Sequence, residues 1–263
     1  MKKRIALIGF GALSHIFLSI YQKQLTDSYE LCGVLTRPIP EKAEAFPFFA
    51  DAEELLSARP DYVLEFAGGG AVREYGETIL QSGANLIIVS IGALADDALY
   101  ARLRTAACRG GSRLYLPNGA LGGFDVLRTM ALAGVDEISI ENRKPPAGLN
   151  GAPYLNGREL PEDCETQVFS GTAREAIAAF PHNVNVAVAA SLAAADPDKA
   201  QVQITSVPGL KQNTHIVRAR NALAQIELNI ASLPDPANPR SSTVTAWSVA
   251  ALLSDLASPV SFF

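Results

Sequence analysis

The chain has 263 residues, with 22 Lys and Arg against 27 Asp and Glu, a net charge of −5. That acidic balance, without any basic run, excludes nucleic acid and anionic membrane surfaces as main partners, because both reward clustered cations. A hydrophobic share of 48% with 19% charged residues describes a globular protein with a real core, and the length suits two domains better than one.

Cys32, Cys108 and Cys164 are odd in number and widely spaced. They form no CxxC or Cys/His cluster, so neither a disulfide framework nor a metal site is expected, and free thiols in a reducing cytoplasm are. The N-terminal "MKKRIALIGFGALSHIFLSIY" has basic then apolar residues like a signal peptide. Gly9 and Gly11 interrupt it in a strand-to-helix pattern, however, and no small-residue cleavage site follows. No apolar run reaches the ~18 residues of a membrane span.

In chain order, "RIALIGF" reads as a strand buried on both faces, then "ALSHIFLSIYQKQ" as a helix and "YELCGVLTR" as a strand. The alternation continues through "DAEELLSAR", "DYVLEFAG", "VREYGETILQSG", "NLIIVSIGAL", "DDALYARLRTAACRGG" and "SRLYLPNGA". Short strands separated by helices imply right-handed βαβ units and a Rossmann-type, doubly wound parallel sheet of the α/β class. We place this dinucleotide-binding domain at 1–117.

Ligands bind beyond the carboxyl ends of such strands. The first end carries Gly9-Phe10-Gly11-Ala12-Leu13-Ser14, a GxGxxG match in which Ser14 replaces the third glycine. Gly9 permits the turn, Gly11 lets a pyrophosphate approach, and the helix starting near Ala12 and Leu13 offers N–H groups and its positive dipole end. The second strand ends in Thr36 and Arg37, with no carboxylate until Glu41. A cation there pairs with a 2′-phosphate, so NADP is expected to serve at least as well as NAD.

After residue 117 the pattern changes. "VDEISIENRKPP", "TQVFSGTAREAIAAF", "KAQVQITSV" and "KQNTHIVRARNALAQIELNIAS" read as half-wet strands with one covering helix. A second α+β domain with a largely antiparallel sheet is expected over 118–238, followed by a helix in 239–263 that returns to the first domain. Asn183 and Asn185 precede a small-residue apolar helix, a position that suits caps. Three histidines, His15, His182 and His215, are the candidates for proton transfer near neutral pH. His215 alternates with Val217 and Ala219, which alone reads as a core or surface residue.

The segments "LIGFGAL", "VSIGALAD", "LPNGALGGFD", "RKPP", "GTAREAIAAFPHNVNVA", "NTHIV" and "PDPANPRSS" together resemble the L-aspartate dehydrogenase family. The departures are Ser14, Asn118 where serine is more usual, and Asn142 where threonine is common before "RKPP". The resemblance implies reversible NAD(P)-dependent oxidative deamination of L-aspartate, through iminoaspartate, to oxaloacetate and ammonia. Iminoaspartate can feed pyridine-nucleotide biosynthesis. The family's catalytic histidine maps to His215, and its cofactor contacts outside the glycine loop map to Ala120 and Asn185. Ser90 and Gly92, in "IVSIGAL", join the candidate cofactor residues. That strand lacks the Glu-Lys-Pro of sugar or homoserine-type dehydrogenases, the nearest alternative; a non-catalytic dinucleotide-binding regulator is the other.

Two substrate carboxylates require cations or N–H groups. Lys144 and Arg174 are the favoured cations over Arg143 and Arg240, with backbone N–H groups near Ser170 to Thr172 sharing the task. The resemblance also implies a homodimer.

Overall fold

The computed structural model describes residues 2–41, 44–181, 185–194, 198–233 and 243–260. His182, Asn183 and Arg240 lie outside them. The chain divides into two units, Met1–Pro117 with Thr245–Phe263, and Asn118–Val244.

The first unit runs β1 (Lys3–Ile8), α1 (Ala12–Gln24), β2 (Tyr29–Leu35), β3 (Phe48–Phe49), α2 (Ala52–Ser57), β4 (Tyr62–Glu65), α3 (Gly69–Gln81) and β5 (Asn85–Ile88). A 3₁₀ turn (Ile91–Ala95), α4 (Asp97–Gly110) and β6 (Leu114–Tyr115) follow. The six strands form one parallel sheet in the order β3-β2-β1-β4-β5-β6. Ile5, Ala6, Leu7 and Ile8 are buried because helices cover both faces of such a sheet. Helix α1 turns Ser14, Phe17, Leu18 and Ile20 inward at helical spacing. Asp51 and Asp96 start α2 and α4 by accepting the N–H groups of Glu54 and Leu99 at 2.8 and 3.0 Å. Gly111, at φ +64, ends α4 in the left-handed conformation.

The second unit contains α5 (Phe124–Ala133), β7 (Glu137–Lys144), α6 (Pro146–Leu149), β8 (Thr166–Thr172), α7 (Ala173–Ala179), α8 (Asn185–Ala194), β9 (Gln201–Ser206), β10 (Asn213–Arg220) and β11 (Gln225–Ser232). Its five-stranded sheet has the order β11-β10-β7-β9-β8. All pairs are antiparallel except β7–β9. With three of four pairs antiparallel this is the largely antiparallel sheet expected; for the parallel pair the chain must cross over between β7 and β9, and α7 and α8 lie on that route. One covering helix was too few. Leu127 and Met130 of α5, three alanines of α7, and Val186, Ala187 and Ala190 of α8 share one core with the sheet.

Helix α9 (Thr243–Ala257) sets Ala246, Val249, Ala250 and Leu253 into the core formed by Ile5, Leu7, Phe17 and Tyr29. The Tyr29 hydroxyl donates to the Leu253 carbonyl at 2.7 Å, satisfying a phenol that is otherwise buried.

Candidate active site

In the first unit a polar cluster forms where the sheet order reverses, between β1 and β4, the position at which doubly wound sheets bind ligands. Gly9 has φ +94, and a Cβ there would stand 3.0 Å from the Cβ of Ala67. Only glycine makes this turn and lets the two loops meet. Gly11 differs: its φ of −96 is open to any residue, and a Cβ there would meet nothing within 4 Å. That open space lies at the amino end of α1, where Gly11 as N-cap offers no side chain to the first N–H groups, including those of Ala12 and Leu13. Such a cradle fits a dinucleotide's pyrophosphate. Ser14 explains its own departure from glycine. It is buried, and its hydroxyl donates to the Gly9 carbonyl at 2.8 Å, tying the turn to the helix. His15 is exposed, and its Nδ1 lies 2.8 Å from the Gly11 carbonyl of the preceding turn.

Arg37, beyond β2, is exposed and sits 2.8 Å from Glu74 of α3, over the Tyr75 ring. The nitrogen engaged there is Nη2.

A residue the sequence reading passed over organises this edge. Glu65, the last residue of β4, is 1% exposed. One carboxylate oxygen accepts from the N–H groups of Ala67 and Gly68 at 2.7 and 2.6 Å and from the Ser90 hydroxyl at 3.0 Å; the other accepts from Ser90 N–H at 3.1 Å. Burial raises its pKa, and these donors oppose the rise. Ser90 is thus held by Glu65, while Gly92 is buried in the 3₁₀ turn that follows. Nothing in "YVLEFAG" distinguishes a buried carboxylate from a strand-end charge; its partners lie up to 25 residues away. Glu65→Ala leaves three N–H groups unpaired and is expected to cost roughly 2–4 kcal/mol of stability, read as a lower urea midpoint. Glu65→Gln recovers most of this, because its amide oxygen can keep the three donors of the first oxygen and only the Ser90 N–H is left facing an NH2 group.

In the second unit, register stacks the buried face of the sheet in rows. Leu228, Val217, Ile140 and Val202 form an apolar row. Ile230, His215, Asn142 and Ile204 form the next. One step further the face is polar throughout: β11 and β10 pair Ser232 with Asn213, and β7 and β9 pair Lys144 with Ser206.

His215 Nδ1 lies 2.6 Å from Asn142 Oδ1. An amide oxygen only accepts, so Nδ1 carries the proton and Nε2 keeps its lone pair. Burial, reinforced by the Lys144 charge, pulls the imidazole down to about 3. Burial alone brings Lys144 down to about 8. At neutral pH this face therefore carries a neutral imidazole beside an ammonium. A base whose folded pKa is depressed leaves the unfolded chain holding more protons between pH 6.5 and 3, so stability falls as pH drops through that window. His215→Asn abolishes this contribution. The gap between wild-type and variant unfolding free energies is expected to change by about 2 kcal/mol between pH 6.5 and pH 5, followed by denaturant titration.

Register and side-chain pairing bear on two further expectations. Thr172 pairs with Gln201, which pairs with Ser139, three residues along β7 from Asn142. Three strand spacings of about 4.8 Å also separate β8 from β10, so Thr172 is not gathered with His215. Its side chain caps α7, accepting from Glu175 N–H at 3.2 Å. Arg174 is engaged by Asp198 at 2.6 and 3.1 Å. Lys144 is the cation that the sheet brings to the histidine. Ala120 is buried in the second unit's core, and Asn185 is the half-buried first residue of α8. A cavity of about 560 Å³ opens at the other end of this sheet, lined in part by Glu137, Arg218 and Arg220. Arg220 is paired with Glu137 at 2.6 Å and Arg218 with Glu227 at 2.7 Å.

Comparison with known proteins assigns both units. The family model "Homoserine dehydrogenase, NAD binding domain" matches residues 9–117, and "Aspartate dehydrogenase, C-terminal" matches 125–256. L-aspartate dehydrogenase 2 of Bordetella bronchiseptica is 37% identical over 96% of this chain and 96% of its own. L-aspartate dehydrogenase of Ruegeria pomeroyi is 37% identical over 95% of this chain and 91% of its own. The crystal structure of aspartate dehydrogenase from Thermotoga maritima superposes with a TM-score of 0.80 at 27% identity, covering 100% of both chains. The match to an NAD binding domain, with relatives that are dehydrogenases, supports a nicotinamide dinucleotide as the cofactor. Glycine cradle, paired imidazole and full-length likeness agree, and the chain belongs to the L-aspartate dehydrogenase family.

Proposed function

We propose that the protein catalyses the reversible NAD(P)-dependent oxidative deamination of L-aspartate to oxaloacetate and ammonia. The observation that carries this is the buried His215–Asn142 pair with Lys144 beside it, in a chain whose other unit has the glycine cradle. When bound at Gly9, Gly11 and the first N–H groups of α1, the nicotinamide dinucleotide supplies the hydride acceptor.

The chain's own residues manage substrate and protons. Asn142 holds the imidazole so that Nε2 accepts a proton from the substrate amine and passes it on to solvent. Nε2 then takes a proton from the water that adds to the imine carbon of iminoaspartate and returns it to the departing nitrogen, so that loss of ammonia leaves oxaloacetate. A base depressed to about 3 is weak, but a bound dicarboxylate brings negative charge that favours imidazolium and strengthens it. Burial excludes bulk water from this face and sharpens each of these interactions.

What supports a cofactor role for Asn185 is the direction of α8. The helix packs on β7 and leads within a few residues into β9, so it runs back along the sheet from the Ser206 end. Its first residue belongs at that end. Ala120 and Ser90 complete the proposed contacts.

We assign NADP as a cofactor at least as good as NAD, because Arg37 follows β2 with no carboxylate in the adjoining chain. Arg37→Asp is expected to lower the NADP/NAD ratio of kcat/KM about tenfold or more. An unchanged ratio removes the assignment. A homodimer is part of the same proposal, and sedimentation equilibrium tests it.

The functional test is oxidation of NADH or NADPH by purified protein given oxaloacetate and ammonium. Turnover that requires both substrates is expected. Tight dinucleotide binding with no turnover on a panel of keto acids would favour the regulator reading.

A further inference from the structure

The polar row beside the histidine contains more hydrogen-bonding capacity than the protein uses. Ser206 is 0% exposed and Ser232 3%, yet neither hydroxyl has a partner among the described residues; nor does the Asn142 amide nitrogen, on a residue 0% exposed. Lys144 and Asn213, each 6% exposed, lie between the two serines in the same row. Buried polar groups are nearly always paired, so several unpaired donors on one face around an ammonium mark a place built for an anionic acceptor.

We propose that Ser232, Asn213, Lys144 and Ser206 seat the side-chain carboxylate of the substrate and so set the preference for a four-carbon dicarboxylic acid. The inference rests on the reading of His215 as the proton acceptor. Successive rows on one strand face are about 7 Å apart; a four-carbon diacid extends about 4 Å from its reacting carbon to its far carboxylate oxygens, and a hydrogen bond of about 3 Å closes the rest. A substrate whose reacting carbon lies against His215 therefore reaches this row with its far carboxylate. The ammonium supplies charge, and the two hydroxyls and the Asn213 amide supply directed donors. Asn142 serves both ends: its oxygen fixes the imidazole, and its amide nitrogen faces the same substrate. A shorter or uncharged side chain leaves the row unsatisfied, which is how a site built for hydrogen bonds rejects analogues that lack them.

The test uses full-length cofactor-loaded protein and the variants Lys144→Met, Ser206→Ala and Ser232→Ala. Two readouts are taken: calorimetric affinity for succinate, a non-reacting four-carbon diacid, and KM for oxaloacetate against pyruvate with ammonium. Lys144→Met is expected to weaken succinate binding and raise the oxaloacetate KM by at least about 30-fold. Each serine variant is expected to raise it roughly three- to tenfold. Pyruvate KM moves far less in all three. Because an unpaired hydroxyl contributes nothing to the ligand-free fold, both serine variants melt at or above the wild-type temperature without substrate. They keep the test valid even if Lys144→Met does not fold. Succinate affinity and oxaloacetate KM unchanged in the serine variants would overturn the proposal. If wild-type protein turns over oxaloacetate normally while succinate ignores this row, the seat is wrong and the function stands. If succinate binds through the row but no keto acid is turned over, the seat stands and the function is wrong.

Discussion

His215→Asn is expected to lower kcat for L-aspartate oxidation by roughly 10²–10⁴-fold, the usual contribution of a positioned base, while leaving dinucleotide affinity unchanged. Asparagine is the informative replacement. It keeps a donor that can reach Asn142 Oδ1, which now lies 2.6 Å from the ring nitrogen, and it adds no charge to a buried face. It removes only the lone pair at Nε2. The dinucleotide cradle lies in the other unit, at Gly9 and Gly11, so fluorescence titration with NADH or NADPH separates lost chemistry from lost binding. Turnover within a few-fold of wild type would move the base elsewhere, and the roles given to Asn142 and Lys144 would go with it. Asn142→Ala is the companion variant. It frees the ring from its acceptor, and it is expected to lower kcat less than loss of the ring itself does.

The second large effect belongs to Gly11. Gly11→Val is expected to weaken dinucleotide binding about 100-fold or more with little change in melting temperature, because the fold does not need glycine there. Its φ of −96 suits any residue, and its Cβ direction meets nothing within 4 Å. Replacing glycine by valine as N-cap costs the helix about 1 kcal/mol or less, a fall of about 2–4 °C at most in the melting temperature. The space it fills is the one a pyrophosphate needs. Gly9→Val is the contrasting control: at φ +94, with Ala67 3.0 Å from the new Cβ, it destabilises the fold itself. If Gly11→Val bound cofactor like wild type, the cradle would be structural.

Much of this was legible in the chain because periodicity and local chemistry carry it. The apolar runs of β1, β4 and β5 and the helices between them specify a parallel sheet, and the glycine loop marks where it opens. His215 was visible as one of three histidines, and the family pattern singled it out. Long-range pairing was not legible. Asn142 looked like a variant position before "RKPP", yet the register of β7 against β10 makes it the partner of His215, 73 residues away. Thr172 and Arg174 looked like anion binders, a role that their sequence context allows. Glu175, three residues on from Thr172, and Asp198, 24 residues from Arg174, take them up. Glu65 shows the same limit, since its burial depends on donors in two separate loops. Residue type is readable locally; whether a polar group ends up paired depends on strand order and register.

Hydride removal from Cα of aspartate to a nicotinamide is the step on which every residue role given above depends. Its most direct test is to oxidise L-aspartate labelled with deuterium at Cα and to weigh the reduced cofactor by mass spectrometry. The reduced cofactor is expected to be heavier by one mass unit, deuterium in place of hydrogen, than that formed from unlabelled aspartate. Deuterium released to water, with unlabelled cofactor or none reduced, would contradict it.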